Sequence, residues 1–274
     1  MTAAELYEKL LAVLHGAEGE HNKANVIFET VFKSPRLGFT GEISDCDADT
    51  ALALASSVKG GYPVQYVAGC WPFMDFEVQI GEGVLIPRDD TVAVAETAIE
   101  ACPANARVLD LCAGSGILGI ALARKCSAEV VGVELCDAAF EYLKVNMSLL
   151  APQCRPVEAD VFTYQSELAD GEFDLIVCNP PYLTDEEYEA SQPELFHEPR
   201  QALCGGLKYY EHIIPAYRRC LKDGGSMVFE IGSGQAETAC RLFEQNGYLP
   251  ARVVKDLGGN DRAVISAVEK TPGL

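Results

Sequence analysis

Four consecutive residues, Asn179-Pro180-Pro181-Tyr182, have the most specific chemistry in this chain. They follow an apolar run, Phe173-Asp174-Leu175-Ile176-Val177-Cys178, that reads as a buried strand. Two prolines cannot continue a central strand or donate to its ladder, so they set a rigid loop at its carboxyl end. They also remove two N–H donors and leave the nearby carbonyls free to accept. Asn179 adds a side-chain carbonyl and an NH₂ group. The set suits a planar –NH₂ group, whose two protons can bond the Asn179 side-chain oxygen and the Pro180 backbone oxygen while Tyr182 stacks on the flat amide or ring that carries the nitrogen. An amide nitrogen is a poor nucleophile because its lone pair is delocalised. Holding both N–H bonds localises that pair and aims it at an electrophile. Such chemistry runs on positioning and electrostatics and needs no strong base.

A second constellation lies upstream. Asp110-Leu111-Cys112-Ala113-Gly114-Ser115-Gly116 closes an apolar strand and opens a helix, and its glycines let the backbone turn and approach a ligand. Glu134 ends the next strand, on the order of twenty residues later, where a carboxylate can accept both hydroxyl protons of a ribose. Asp160 ends the third strand, and Val161-Phe162 after it offer an amide acceptor and an apolar wall for an adenine ring. Dinucleotide binding competes, because Gly114, Gly116 and Gly119 satisfy G-x-G-x-x-G. The loop pattern leaves that rival open, and the Asn-Pro-Pro-Tyr loop decides against it.

These positions need a scaffold. From about residue 88 the chain alternates strands and helices, which predicts an open parallel sheet with helices on both faces. The strands are expected over 108–112, 130–134, 156–160, 173–179, 226–231, 251–255 and 263–268, and the helices over 117–125, 138–150, 208–221 and 235–245. Seven such strands suit a doubly wound fold. The first 70 residues read as a small helical bundle, with Leu6, Leu10, Val13 and Leu14 at helical spacing, a second helix over 24–32 and a third over 47–58 that stops at Gly60-Gly61. Between these regions, Met74, Phe76, Val78 and Ile80 alternate with polar residues. Gly81-Glu82-Gly83 reads as a turn and Val84-Leu85-Ile86 as a second strand, so a β-hairpin linker is expected over 71–87.

The formal net charge is -20. Such a surface repels phosphate, and the 21 Lys and Arg are scattered singly or in pairs, so direct nucleic-acid binding is not expected. None of the 11 cysteines forms a C-x-x-C pair, which argues against zinc and for free thiols in a reducing cytoplasm. The opening residues do not read as a signal peptide, and no apolar stretch reaches the length of a membrane span.

Asn179-Pro180-Pro181-Tyr182, after a D-L-x-x-G-S-G loop and an acid-ended second strand, resembles the amino-methyltransferase branch of the class I S-adenosylmethionine methyltransferases. Val84-Leu85-Ile86-Pro87-Arg88 and Pro63-Val64-Gln65-Tyr66-Val67-Ala68-Gly69 resemble segments of the HemK/PrmC family of protein-(glutamine-N5) methyltransferases. So do Glu198-Pro199-Arg200-Gln201-Ala202-Leu203 and Lys255-Asp256-Leu257-Gly258-Gly259-Asn260-Asp261-Arg262. The resemblance spans roughly residues 24–266. It implies a class I (Rossmann-like) α/β methyltransferase domain over 88–274, a substrate-recognising helical domain over 1–70 and the hairpin between them. It also implies S-adenosylmethionine as cofactor and, as substrate, the glutamine of the Gly-Gly-Gln motif in peptide chain release factors. The expected cofactor residues are Asp110, Cys112, Ala113, Gly114, Ser115, Gly116, Glu134, Asp160, Val161 and Asn179. Asn179, Pro180, Pro181 and Tyr182 would hold the glutamine, with Asn179, Pro180 and Tyr182 as the catalytic set.

The chain departs from the family in three places. Cys112 stands where glycine is usual, Val161 where an aromatic is frequent, and Arg88-Asp89-Asp90-Thr91-Val92 where R-P-E-T-E is usual. The other readings are glutamine methylation of a ribosomal protein, methylation of an exocyclic amine on a flipped base, and a non-enzymatic cofactor-binding adaptor. A monomer is expected, with no metal.

Overall fold

The computed structural model describes residues 1–270, so the last four residues of the expected 88–274 domain lie outside the described residues. The chain divides into two compact units.

The first unit comprises residues 1–71, 80–82 and 192–197. Its main helices are α1 (Ala3–Leu14), α2 (Glu20–Phe32), α3 (Asp45–Lys59) and the short α4 (Val64–Ala68). Thr2 caps α1, accepting from the Glu5 N–H while the Glu5 carboxylate accepts from the Thr2 N–H. This reciprocal pair satisfies two otherwise orphaned donors. Ser44 caps α3 through the Asp47 N–H. Leu6, Leu10 and Leu14 of α1 pack with Ile27 and Phe28 of α2 and with Ala48, Ala51, Ala55 and Val58 of α3. The alanines let α3 approach closely, and the four-residue spacing seen in the sequence is the buried stripe.

The second unit holds residues 72–79, 83–191 and those from 198 onward. In chain order its elements follow β1 (Cys70–Phe73) and β2 (Phe76–Gln79). They are α5 (Thr91–Ala101), β3 (Arg107–Leu111), α6 (Ile117–Cys126), β4 (Glu129–Glu134), α7 (Asp137–Leu150), β5 (Arg155–Glu158), β6 (Phe173–Cys178), α8 (Asp185–Glu189), α9 (Arg200–Leu203), α10 (Lys208–Tyr217), β7 (Leu221–Glu230), α11 (Ala236–Gln245), β8 (Arg252–Lys255) and β9 (Asp261–Ala267).

The hairpin differs from expectation. Its strands are β1 and β2, joined through Met74-Asp75 with Met74 at φ 53°, and residues 84–86 form no strand. The Ile86 N–H, which a strand would give to a ladder, goes to the Glu198 carboxylate at 2.9 Å. The alternation over residues 76–79 is nonetheless real, with Phe76 and Val78 buried and Glu77 and Gln79 exposed.

The main sheet has seven strands in the order β5-β4-β3-β6-β7-β9-β8. The first five run parallel, whereas β9 is antiparallel to both β7 and β8. The sheet is therefore mixed, not wholly parallel as the strand–helix alternation suggested. Only five residues separate β8 from β9, too few for the crossover that a parallel pair requires. Helix α5 was not legible in advance. It is rich in alanine, has no side-chain cap and buries Val94, Ala95, Thr97 and Ala98.

The strand order reverses between β3 and β6: the chain winds outward through β4 and β5 on one side and through β7 on the other. In such sheets the crevice at the carboxyl ends of the two central strands is where ligands bind. Both constellations identified in the sequence lie there, one after β3 and one after β6.

Candidate active site

The loop after β3 is held from beneath by Asp110. This residue is 1% exposed, and its Oδ2 accepts the Gly119 N–H at 2.9 Å. Burial pushes its carboxyl up to about 7, with the Glu134 charge adding to the rise and the Gly119 hydrogen bond opposing it. A Cβ on Gly119 would lie 2.9 Å from both Asp110 Oδ2 and Val130 Cγ1. The third glycine of the dinucleotide-like pattern is thus a packing requirement inside α6.

Above Asp110 the backbone turns through Cys112 (φ 57°), Gly114 (φ 55°) and Gly116 (φ 88°). At Cys112 a residue with a side chain takes the left-handed conformation that glycine would adopt freely. Gly114 has open space where a Cβ would be, so a ligand can approach its backbone. Buried Asn146 ties the far side of the loop, donating to Ser115 O and to Gln79 O, each at 2.9 Å.

Glu134 faces this loop from the end of β4. Its Oε2 accepts the Gly114 N–H at 2.9 Å, and its Oε1 accepts the N–H groups of Leu135 and Cys136, also at 2.9 Å. Three backbone donors therefore fix the carboxylate, whose remaining lone pairs stay available for a diol. After β5, Asp160 Oδ1 accepts the Phe162 N–H at 2.9 Å, and Val161 O accepts the Tyr217 hydroxyl at 2.8 Å.

These groups surround one cavity of about 300 Å³, within the size range of small-molecule sites. Asp110, Cys112, Ala113, Gly114, Ser115, Glu134, Asp160, Val161, Asn179 and Pro181 all line it. Gly116, Pro180 and Tyr182 do not. Gly116 opens α6, where a Cβ would meet Leu143 Cδ1 at 2.8 Å.

Phe162, expected as part of an apolar wall, is joined in the lining by groups that were given no role in the site. Phe162 and Tyr209 form an aromatic wall with ring centroids 5.0 Å apart. It stands beside Val161, where the family's usual aromatic is missing. On α10, Tyr210 is fully buried, like Tyr217, so Tyr209 alone of the three lines the cavity. The segment Leu85-Ile86-Pro87-Arg88 also lines the cavity, as does Pro199-Arg200-Gln201-Ala202 apart from Arg200. Glu198 clasps the two segments together, accepting from Ile86 N and from the Arg88 guanidinium. Thr91, at the start of α5, lines the cavity too.

The loop after β6 is braced from both flanks. The Leu183 N–H donates to Leu203 O at 2.9 Å, and Gly205 N–H returns to Leu183 O at 3.0 Å. Gln235 Nε2 donates to Tyr182 O at 2.9 Å. The Tyr182 hydroxyl points away from the cavity lining and donates to Glu230 Oε1 at 3.2 Å. Arg262 Nη1 approaches that hydroxyl at 3.5 Å. Arg262 itself pairs with Asp256 at 3.2 Å and with Asp90 at 3.1 Å, which gives the divergent 88–92 segment a partner. His197 is exposed, against the ring of Tyr62.

The residues present suit an adenosyl sulfonium cofactor: a fixed carboxylate for the ribose, a glycine open to close approach, and an aromatic and apolar wall around an acid-ended strand. Comparison with known proteins leads to the same chemistry. A family model described as the methyltransferase small domain matches residues 92–210. A solved methyltransferase from Pyrococcus furiosus superposes with a TM-score of 0.51 at 15% identity, covering 70% of this chain and 88% of its own, which speaks for the fold alone. The release factor glutamine methyltransferase of Geobacter sulfurreducens is 39% identical over 207 residues, 74% of this chain and 72% of that protein. The enzyme of the same name from Aliivibrio fischeri is 30% identical over 261 residues, 92% of each chain. Identity at that level across both units, with the Asn-Pro-Pro-Tyr loop seated at the switch point of a class I methyltransferase fold, places the chain in the release factor glutamine methyltransferase family.

Proposed function

We propose that this chain transfers a methyl group from S-adenosylmethionine to the side-chain amide nitrogen of the glutamine in the Gly-Gly-Gln motif of peptide chain release factors. The observation that carries this reading is the position of Asn179. It ends β6 and lines the same cavity as Gly114 and Glu134, so a carboxamide acceptor sits beside the cofactor residues.

Glu134 would hold the ribose, Gly114 would give the cofactor close backbone access, and Phe162 with Tyr209 would flank the adenine. When bound, the cofactor supplies an electrophilic methyl on a cationic sulfur. Everything else falls to the protein. Asn179 Oδ1 and the adjoining Pro180 carbonyl would accept hydrogen bonds from the two amide N–H groups and aim the nitrogen lone pair, while Tyr182, outside the cavity lining, would brace their loop through Gln235. Positive charge grows on the attacking nitrogen, and these two oxygens would stabilise it. Formation of the N–C bond would break the methyl–sulfur bond and leave the cofactor as a neutral thioether, and the nitrogen would pass one proton to solvent, so that a neutral methylamide remains.

The protein would work in the cytoplasm and bind no nucleic acid directly. The 11 free cysteines support the first reading and the net charge of -20 the second, and no helix among the described residues is long and apolar enough to cross a membrane. The test is incubation with radiolabelled cofactor and a release factor. Label should enter the release factor and vanish when the Gly-Gly-Gln glutamine is replaced. Label that persists after that replacement, or never appears, defeats the reading.

A further inference from the structure

Glu230 has no place in the mechanism so far, yet its surroundings are unusual. It ends β7 at 2% exposure. One carboxylate oxygen accepts from Tyr182, and the other is buried with no hydrogen-bond partner. The Thr91 hydroxyl, which bears on this carboxyl from the start of α5, is likewise buried and makes no hydrogen bond of normal geometry, and Thr91 lines the cavity. Two buried polar groups that face each other without a well-formed hydrogen bond cost stability, and sites of function are where folds keep such costs.

We propose that Glu230 is a positioning residue for methyl transfer, its carboxylate locking the Tyr182 ring and, through it, the Asn179–Tyr182 loop against the cavity. This rests on the function proposed above. Four contacts fix Tyr182: its hydroxyl on Glu230, the approach of Arg262 Nη1 to that same hydroxyl, its carbonyl on Gln235 Nε2, and its ring edge against Gly232, where a Cβ would come within 3.0 Å of Cδ2. Of these, only the Glu230 contact changes with protonation.

The groups that face Glu230 are Tyr182 from the loop, Arg262 from β9, Asp90 and Thr91 at the start of α5, Cys178 at the end of β6 and Tyr210 from α10. Arg262 is the one cation in this set, and it is shared with Asp90 and Asp256. Burial therefore prevails and raises the Glu230 carboxyl to about 7, against the opposing pull of the Thr91 hydroxyl, Arg262 and Tyr182. Ionised, Glu230 is a strong acceptor for the Tyr182 hydroxyl. Neutral, it can turn its own proton toward Thr91 and loosen that hold.

The experiment is the pH dependence of kcat in the wild type, Glu230→Gln and Tyr182→Phe, each with the full-length protein and a release factor substrate. The wild-type rate should rise as pH increases through neutrality. Glu230→Gln should lose that rise and turn over at about a tenth of the wild-type plateau or less, the scale of one charge-assisted hydrogen bond, with an unchanged cofactor Kd. Tyr182→Phe keeps the ring and should also flatten the profile, and combining the two changes should cost little more than either alone. If Glu230→Gln fails to fold, the profile of Tyr182→Phe decides. A limb near neutrality that survives in either folded variant, or fully additive losses, overturns the proposal. A wild type that methylates the glutamine with a flat profile also overturns it while leaving the proposed function intact. A wild type that labels nothing overturns both.

Discussion

Glu134 Oε2 accepts the Gly114 N–H at 2.9 Å, joining the end of β4 to the tip of the loop after β3. The bond does two jobs. It holds Gly114 in its left-handed turn, and it orients a carboxylate whose other oxygen is pinned by Leu135 and Cys136. Glu134→Ala should therefore weaken cofactor binding by about ten- to a hundredfold, the range expected for lost hydrogen bonds to a charged group. Titration calorimetry with S-adenosylmethionine checks this. An unchanged Kd would remove Glu134 from the ribose site.

Asn179 should behave differently. It lines the cavity at the end of β6, and its backbone sits on a loop held by neighbours at Leu183 and Gln235. Asn179→Ala should leave the fold and much of the cofactor affinity in place while kcat falls by about a hundredfold or more, the cost of removing one preorganised group at a developing charge. Steady-state kinetics together with a cofactor Kd separate the two effects. Turnover within a few-fold of wild type would exclude Asn179 from the transfer step.

What could be read in advance follows from how each residue meets its neighbours. Strand ends were legible because an apolar run that stops at glycine, proline or an acid marks both a strand and its carboxyl terminus. That holds for Gly114, Glu134 and Asn179; Asp160, expected to end a strand over 156–160, instead lies two residues beyond β5, which stops at Glu158, and all four line the cavity. The segments around Arg88 and Gln201 have no period to detect, and only the folded chain brings them together through Glu198. Tyr209 and Tyr210 are sequence neighbours about 100° apart on one helix, so composition alone could not say which faces the cavity. The direction of the Tyr182 hydroxyl depends on Glu230 and Arg262, distant in sequence, and no local pattern encodes it.

Gly119 separates packing from ligand binding. A methyl group there would press on both Asp110 Oδ2 and Val130 Cγ1 at 2.9 Å, and both are held in the sheet. Gly119→Ala should cost about 1–3 kcal/mol of stability, the usual penalty for overpacking a core, seen as a lower urea midpoint with an unchanged m-value. A stability equal to wild type would mean the loop and α6 relax freely. Tight binding of NAD by the wild type would restore the dinucleotide reading that this packing argument sets aside.

Stability should depend on pH through Asp110. Burial raises its folded-state value from 3.8 to about 7, so between those limits the native protein keeps a proton that the unfolded chain has released. The unfolded state then binds fewer protons, and stability must fall as pH rises through this window and level off above it. Complete burial sets an upper scale on the order of 4 kcal/mol for the effect. Glu230, raised from 4.5 to about 7 by burial, acts in the same direction. Asp110→Asn keeps an acceptor for the Gly119 N–H but cannot ionise, so urea denaturation at pH 5 and pH 8 should show a smaller loss between the two conditions for this variant than for the wild type. Equal losses would mean that Asp110 titrates normally in the folded protein, and the loop would then rest on a charged carboxylate instead of a neutral acid.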